Sequence, residues 1–335
     1  MSEPLETITV SPSDAGLRLD RWFRIHFPHV SHGLLQKLLR KGTVRVDKKR
    51  VEANARIEAG SEIRVPRQVR EPDLAPAPSL KPPLGLSKAD RDAIERMILY
   101  EDDDILVLNK PQGLAVQGGS GTRRHIDGLL AGMQDRFGER PRLVHRLDRD
   151  TTGVLLIAKS RAVAAELGEV FRSRAAHKTY WALVKGVPRP AQGRVEAALV
   201  KASGPQGDVV RKAQPGEQDR AQHATTVYSV IERVGQKAAW VSLKPVTGRQ
   251  HQLRAHMAIL GHPIVGDSKY EGGLDLPAEN MLPRLHLHAR RLVLPKPGGG
   301  RGTIDVTAPM PAHMRATWEL LGLDPERYDT DDAGA

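Results

Sequence analysis

Apolar residues first recur at helical spacing, and then alternate, within the first seventy positions. Leu19, Trp22, Phe23 and Ile25–His26 lie about one turn apart between Arg18 and Phe27, and Pro28 ends that helix. Ser31 is placed to cap a second helix, whose stripe is Leu34, Leu35, Leu38 and Leu39 and whose terminator is Gly42. Thr43–Val46 and Ile63–Val65 alternate as short strands, with Asp47–Lys49 as the turn after the first. Pro66–Leu86 then holds six prolines in 21 residues. Proline fixes φ and removes a donor, so this stretch reads as an extended linker. Beyond it, Asp90–Leu99 predicts a helix and Asp104–Asn109 a buried strand, with a turn at Lys110-Pro111-Gln112-Gly113. Val154–Ala158 is a second buried strand, Gly204–Gln222 a polar surface loop, and Asp324–Ala335 an acidic solvated tail. The expected division is 1–68, a linker over 69–86, a main domain over 87–323, and the tail.

Charge sharpens this picture. The 335 residues carry a net +11. Between Leu17 and Arg70 stand 14 Lys/Arg against five Asp/Glu, so most of the excess lies in the first fifth of the chain. Lys37, Arg40, Lys41, Arg45, Lys48, Lys49 and Arg50 cluster at one helix–strand corner, which predicts contact with a polyanion, foremost nucleic acid. Cysteine is absent, which excludes disulfides, thiol nucleophiles and Cys-based metal sites. No run approaches the ~18 apolar residues of a spanning helix, and MSEPLETITV has no basic then apolar leader, so the expected location is cytoplasmic. Gly118-Gly119-Ser120-Gly121 lacks the GK[ST] of a phosphate loop and reads as a plain loop.

The candidate chemistry lies in Leu143–Ser160, LVHRLDRDTTGVLLIAKS. His145, Arg146, Asp148, Arg149 and Asp150 crowd the entrance of an apolar strand, where desolvation is costly and functional sites are the usual reason to accept it. In an extended segment positions i and i+2 share a face, so geometry leaves Asp148 and Asp150 both open as the reactive carboxylate. His251, His256 and His262 match no zinc spacing.

Two resemblances add to this. Leu17-Arg18-Leu19-Asp20-Arg21-Trp22, Leu38–Asp47 (LLRKGTVRVD) and Ala59–Val65 (AGSEIRV) resemble the S4 RNA-binding domain over about 55 residues. That implies phosphate contacts by Lys37, Arg40, Lys41 and Arg45. His145-Arg146-Leu147-Asp148 with Thr151-Thr152-Gly153, then Lys178–Val184 (KTYWALV), Thr247–His256 (TGRQHQLRAH) and Gly261–Asp267 (GHPIVGD) resemble the RluA-type pseudouridine synthases across about 240 residues. Lys110-Pro111-Gln112-Gly113 also matches, and Thr152, serine in many members, keeps the hydroxyl.

The resemblance implies an α+β catalytic domain with a mixed, largely antiparallel sheet flanked by helices, preceded by the small S4-like domain. It implies isomerisation of uridines in RNA, with 23S ribosomal RNA as the expected partner and no membrane. Breaking N1–C1′ and rejoining through C5 exchanges no atoms with water and involves no redox change, so no metal or organic cofactor is expected. Asp148, Tyr180 and Arg254 are implied as catalytic, with a bidentate Arg254–Asp148 pair. Tyr180 would stack on the flipped base and could help remove the C5 proton; Arg146 would fill the gap in the helix. Leu253 would floor the base, Arg249 would contact the substrate, and His145 would either contact the RNA or hydrogen-bond within its loop. A sibling synthase with other 23S targets, transfer RNA as substrate, and a non-catalytic ribosome-assembly factor are the alternatives.

Overall fold

The computed structural model describes residues 5–30, 32–66, 69, 86–118, 124–204, 207–271, 281–298 and 302–328. Ser31, nearly all of the Pro66–Leu86 stretch and most of the Gly118–Gly121 run lie outside them. The chain divides into two compact units, Met1–Pro83 and Leu84–Ala335.

In the first unit, β1 (Leu5–Thr9) precedes α1 (Leu19–His26) and α2 (His32–Lys41). β2 (Arg45–Val46) and β3 (Glu62–Pro66) follow, and the three strands pair antiparallel in the order β1-β3-β2. Trp22, Phe23, Leu35, Leu39, Val44, Ile57, Ile63 and Val65 close one core. Ile25, expected on the apolar stripe of α1, faces solvent. The turn after β2 puts Asp47 and Lys48 at φ 49° and 64°. Such a mirror-image turn favours Asn, Asp or Gly at its first position, and the Asp47 carboxylate steadies it by accepting from Glu62 N at 2.8 Å. Lys37, Arg40 and Lys41 are exposed. Arg45 is half-buried, and its Nε donates to Gly42 O at 3.0 Å.

The second unit opens with α3 (Lys88–Glu95), which ends earlier than the sequence predicts because Ile98–Glu101 forms strand β4. β5 (Ile105–Lys110), α4 (Ile126–Ala131), α5 (Gln134–Phe137), β6 (Arg142–Leu143) and β7 (Thr152–Ala158) follow. Next come α6 (Arg161–Arg172), β8 (His177–Lys185), β9 (Gln192–Gly204) and β10 (Gly207–Lys212). The predicted loop over Gly204–Gln222 is thus half wrong. Val209 and Val210 pair with Ala202 and Lys201 in a hairpin, and Val210 is buried. β11 (Gln222–Val234), β12 (Ala238–Pro245), α7 (Gln252–Ile259), β13 (Leu287–Pro295), β14 (Thr303–Thr307) and α8 (Ala312–Leu321) complete the unit. The acidic tail is also not wholly solvated: Glu326–Tyr328 makes a 3-10 turn, and Tyr328 sets its ring edge-on to Trp240 at 5.3 Å.

One sheet runs β10-β9-β11-β12-β8-β13-β7-β5-β4, with β14 on β13 and β6 on β7. The β13–β7 contact is parallel and every other pairing is antiparallel. Both faces are covered, which explains the unbroken apolar runs of β5 and β7. Leu106, Leu108, Leu155, Ile157, Tyr180 and Ala182 meet Ile126, Leu130, Leu253 and Met257 on one face. On the other, Ile105, Val107 and Leu156 meet Val163 and Leu167, while Trp181 and Trp240 meet Met314 and Trp318.

Gly153 permits the parallel contact. Its φ is 106°, and a Cβ there would stand 2.2 Å from Ala289 O. Gly153→Ala is therefore expected to lower stability by about 3 kcal/mol or more. Gly138→Ala, at φ 73° with nothing within 4 Å, should lose only ~1–2 kcal/mol for left-handed backbone. Urea melts of the two variants measure the difference.

Candidate active site

A cavity of about 590 Å³ opens where the loop before β7, strand β8 and the start of α7 converge. Its wall includes His145, Arg146, Asp148, Tyr180, Arg249, Leu253 and Arg254. The structure thus brings together every site residue predicted for the second unit. Lys37, Arg40, Lys41 and Arg45 belong to the first unit.

The loop is held open by substitutions for missing backbone. β7 is paired by β6 at Ile157–Ala158 and by β13 at Thr152–Gly153 on the same edge. Between them, Leu156 N donates to His145 Nε2 at 2.8 Å. The ring also stacks on Phe171 at 5.0 Å. Burial, and then the Lys178 charge, pull its pKa down to about 3, so the imidazole stays neutral and keeps the accepting lone pair. His145 is therefore an anchor of the loop, one of the two roles expected of it, and it also lines the cavity. Beneath the same loop, Lys110 is wholly buried and its Nζ donates to Pro111 O, Leu114 O and Arg149 O at 2.9, 2.9 and 2.8 Å. Burial lowers its pKa to about 7 against the pull of Asp150 and Asp148, and three carbonyl acceptors use all three ammonium protons.

Asp148 and Asp150 are separated by backbone geometry. The chain turns at Arg149–Asp150, closed by Thr151 N donating to Asp148 O at 3.2 Å. The segment is not extended there, so the two carboxylates do not share a face. Asp148 lines the cavity and Asp150 does not.

α7 is pinned by Gln252. Its amide donates to Thr225 O at 2.8 Å and Thr226 Oγ1 at 3.0 Å, and its carbonyl accepts from Thr247 Oγ1 and Arg249 N. Arg249 itself is exposed, with Nε donating to His223 O at 3.2 Å. The residue before the helix, His251, adopts φ 51°, a left-handed conformation costing a non-glycine residue about 1–2 kcal/mol. Arg254 is 5% exposed, and its bidentate partner is Asp267, not Asp148. Nε and Nη2 donate to the two Asp267 oxygens at 2.7 Å each. Asp148 Oδ2 stands 3.8 Å from Nη1 and 4.0 Å from His251 Nε2. Burial alone would weaken the Arg254 proton affinity; the Asp267 hydrogen bonds and charge outweigh it, and the guanidinium stays charged. Tyr270 lies beneath it, ring centroid 5.2 Å away. Tyr180 is buried on β8, and burial followed by the Asp148 charge raises its pKa, so the phenol keeps its proton.

Asp267, His251 and Tyr270 carried no assigned role in the sequence. Asp267 closes the quoted GHPIVGD motif and Tyr270 follows three residues later, a signal too local to reveal a pairing across 13 residues. Among the described residues, no group of three His, Cys, Asp or Glu could hold a metal ion. His256 is bonded to Thr226 Oγ1 and His262 to Lys185 O. No helix among the described residues is long and apolar enough to cross a membrane.

A carboxylate beside a buried cation, in a cleft with an aromatic wall, is an arrangement that suits chemistry on an electron-poor carbon next to a planar ring. Residues 104–259 match the family described as RNA pseudouridylate synthase. The ribosomal large subunit pseudouridine synthase C of Escherichia coli strain K12 is 40% identical over 95% of this chain and 97% of its own length. That of Rickettsia bellii is 33% identical over 92% and 98%. The solved structure of human RNA Pseudouridylate Synthase Domain Containing 4 superposes with a TM-score of 0.58 at 31% identity, over 70% of this chain and 95% of the other. The chain belongs to the RluA-type RNA pseudouridine synthases, and is thus an isomerase of uridine in RNA.

The buried pair tests readily. Asp267→Asn keeps shape and strands the Arg254 charge, so it should cost about 3–5 kcal/mol of stability in urea melts. Asp305→Asn, which breaks the partly exposed Arg291–Asp305 pair, should cost no more than ~1 kcal/mol.

Proposed function

We propose that this enzyme isomerises uridines of 23S ribosomal RNA in the cytoplasm, with Asp148 as the reacting carboxylate. The observation that carries the proposal is Asp148 at the wall of the cleft, 3.8 Å from a buried Arg254 whose two other edges are taken by Asp267. The bacterial relatives, ribosomal large subunit pseudouridine synthases, support the large ribosomal subunit over transfer RNA and over a non-catalytic factor.

In the reaction N1–C1′ breaks, C5–C1′ forms and the C5 proton leaves. The ribose carbon passes through an electron-poor state that a carboxylate stabilises or captures. Arg254 orients Asp148 without covering both of its oxygens. The target base must leave its stack, at a cost of a few kcal/mol. Tyr180 recovers part of that by packing on the base, worth ~1–3 kcal/mol. Its raised pKa favours stacking over the proton-abstracting role foreseen for its hydroxyl. Leu253 floors the base. Arg146 is exposed at the rim and makes no hydrogen bond or ion pair with the described residues, which suits a guanidinium that replaces the flipped base. Arg249, exposed beside it, suits a backbone phosphate.

The first unit acts in this proposal as an S4-like RNA-binding module joined by the proline-rich stretch. Exposed Lys37, Arg40 and Lys41 are its phosphate contacts, with Arg45 beside them bonded to Gly42 O after α2 and to Lys48 O in the turn after β2.

Asp148→Asn should reduce single-turnover conversion of a 23S fragment to background while RNA affinity holds or rises. Asp150→Asn should keep measurable turnover, because Asp150 does not line the cleft. Near-normal product from Asp148→Asn would identify the wrong carboxylate. Removing residues 1–70 should weaken RNA binding and flatten its salt dependence, since fewer counterions are released. An unchanged slope in filter binding from 50 to 300 mM salt would refute the RNA-binding role.

A further inference from the structure

His251 occupies a strained left-handed position at the head of α7, almost wholly buried, with its Nε2 aimed at Asp148 Oδ2 across 4.0 Å. Strain of this kind persists where surrounding contacts fix it, and it clusters at working sites. The contacts here form a chain. Val210 N, on β10, donates to the Tyr270 hydroxyl oxygen at 2.8 Å. That oxygen lies 3.1 Å from His251 Nδ1. With the oxygen already accepting from β10, the phenol's own proton points at Nδ1. A neutral imidazole that accepts at Nδ1 carries its proton at Nε2, the nitrogen facing Asp148.

We propose that His251 is a positioning residue for the Asp148 carboxylate, held as the Nε2–H tautomer by the Tyr270 hydroxyl, which the backbone of β10 fixes in turn. The inference rests on Asp148 being the reacting carboxylate. The polarity runs one way: Val210 N–H to Tyr270, Tyr270 O–H to His251 Nδ1, His251 Nε2–H toward Asp148. At 4.0 Å the last step is not a hydrogen bond. Such contacts are long without substrate and tighten in the complex. A neutral donor steers Asp148 without adding a second cation beside Arg254, and so leaves the carboxylate reactive.

The groups facing His251 agree. Asp148 comes from the loop before β7, Arg254 from α7, Asp267 and Lys269 from the segment after α7, and Asp208 from β10. Burial lowers the His251 pKa; Asp148 opposes this, Arg254 and Lys269 reinforce it, and Asp267 opposes it. The imidazole is therefore neutral at neutral pH. Burial raises the Tyr270 pKa to about 12, so its proton is present to be donated.

The test uses the full chain and a 23S fragment under single-turnover conditions. His251→Asn tolerates the left-handed backbone but is too short to reach Asp148. It should slow the reaction about tenfold to a hundredfold with RNA affinity unchanged, the scale of a misplaced reacting group. His251→Gln, which can present a neutral N–H at that reach, should restore most of the loss. Tyr270→Phe keeps the ring under Arg254 and removes the donor to Nδ1, together with the acceptor for Val210 N. Nδ1 is then free to take a proton, and the His251 pKa rises. The variant's rate should fall as pH drops from 7.5 to 5.5, in a window where the parent enzyme holds steady relative to it. Superimposable pH profiles for Tyr270→Phe and the parent overturn the proposal, as does a His251→Gln rate as low as that of His251→Asn. Asp148→Asn is run beside them. If it retains turnover, the assignment of the carboxylate has failed. If it is inactive and the Tyr270→Phe profile is unshifted, only the His251–Tyr270 chain has failed.

Discussion

Arg254 is a cation taken out of water at the floor of the cleft, and it has to be neutralised where it lies. Asp267 does this with both oxygens, using the Nε and Nη2 edges of the guanidinium. Only Nη1 remains toward Asp148. Of the three charges one negative charge is left uncompensated, and it belongs to the carboxylate that faces the cavity. A fork between Arg254 and Asp148 would have tied up both Asp148 oxygens and left Asp267 a buried, unpaired anion. The pairing to Asp267 solves both problems and fixes the segment after α7 to the helix, which in turn places Tyr270 under Arg254.

The sheet order brings distant stretches of chain to this point. β13 lies between β7 and β8, so the loop carrying Asp148 and the strand carrying Tyr180 flank a strand made more than a hundred residues later. Leu287 of β13 joins the cavity wall. That insertion requires β13 to run parallel to β7 for two residues, at the place where Gly153 has no side chain. A backbone requirement beside the active-site loop thus explains a glycine that chemistry alone would not demand.

Much of this was legible in the residues. β5 and β7 announced themselves as apolar runs because both faces of the sheet are covered, and the first unit followed its periodicity closely. Legibility failed where pairing is non-local. β10 reads as polar loop because its partner residues belong to β9 and Tyr270, and α3 appeared longer because Ile98–Leu99 suits helix and strand alike. The cleft residues Asp148, Tyr180 and Arg254 came from motif resemblance, and the structure gathers them. The partner of Arg254 was misassigned to Asp148, since the resemblance named that carboxylate alone and only packing reveals the pairing with Asp267. The i, i+2 argument for Asp150 assumed extended backbone that turns instead at Arg149.

His145 has a consequence beyond anchoring. It acts as a splice in the β7 ladder, a ring nitrogen standing where a strand carbonyl would otherwise accept from Leu156. The main chain is thereby released from the sheet edge several residues early. It leads to Arg146, exposed at the rim, and Asp148 at the cavity wall, while Leu156 N beneath keeps an acceptor. The sheet edge beside the cleft is thereby vacated by the main chain without leaving the Leu156 N–H unpaired.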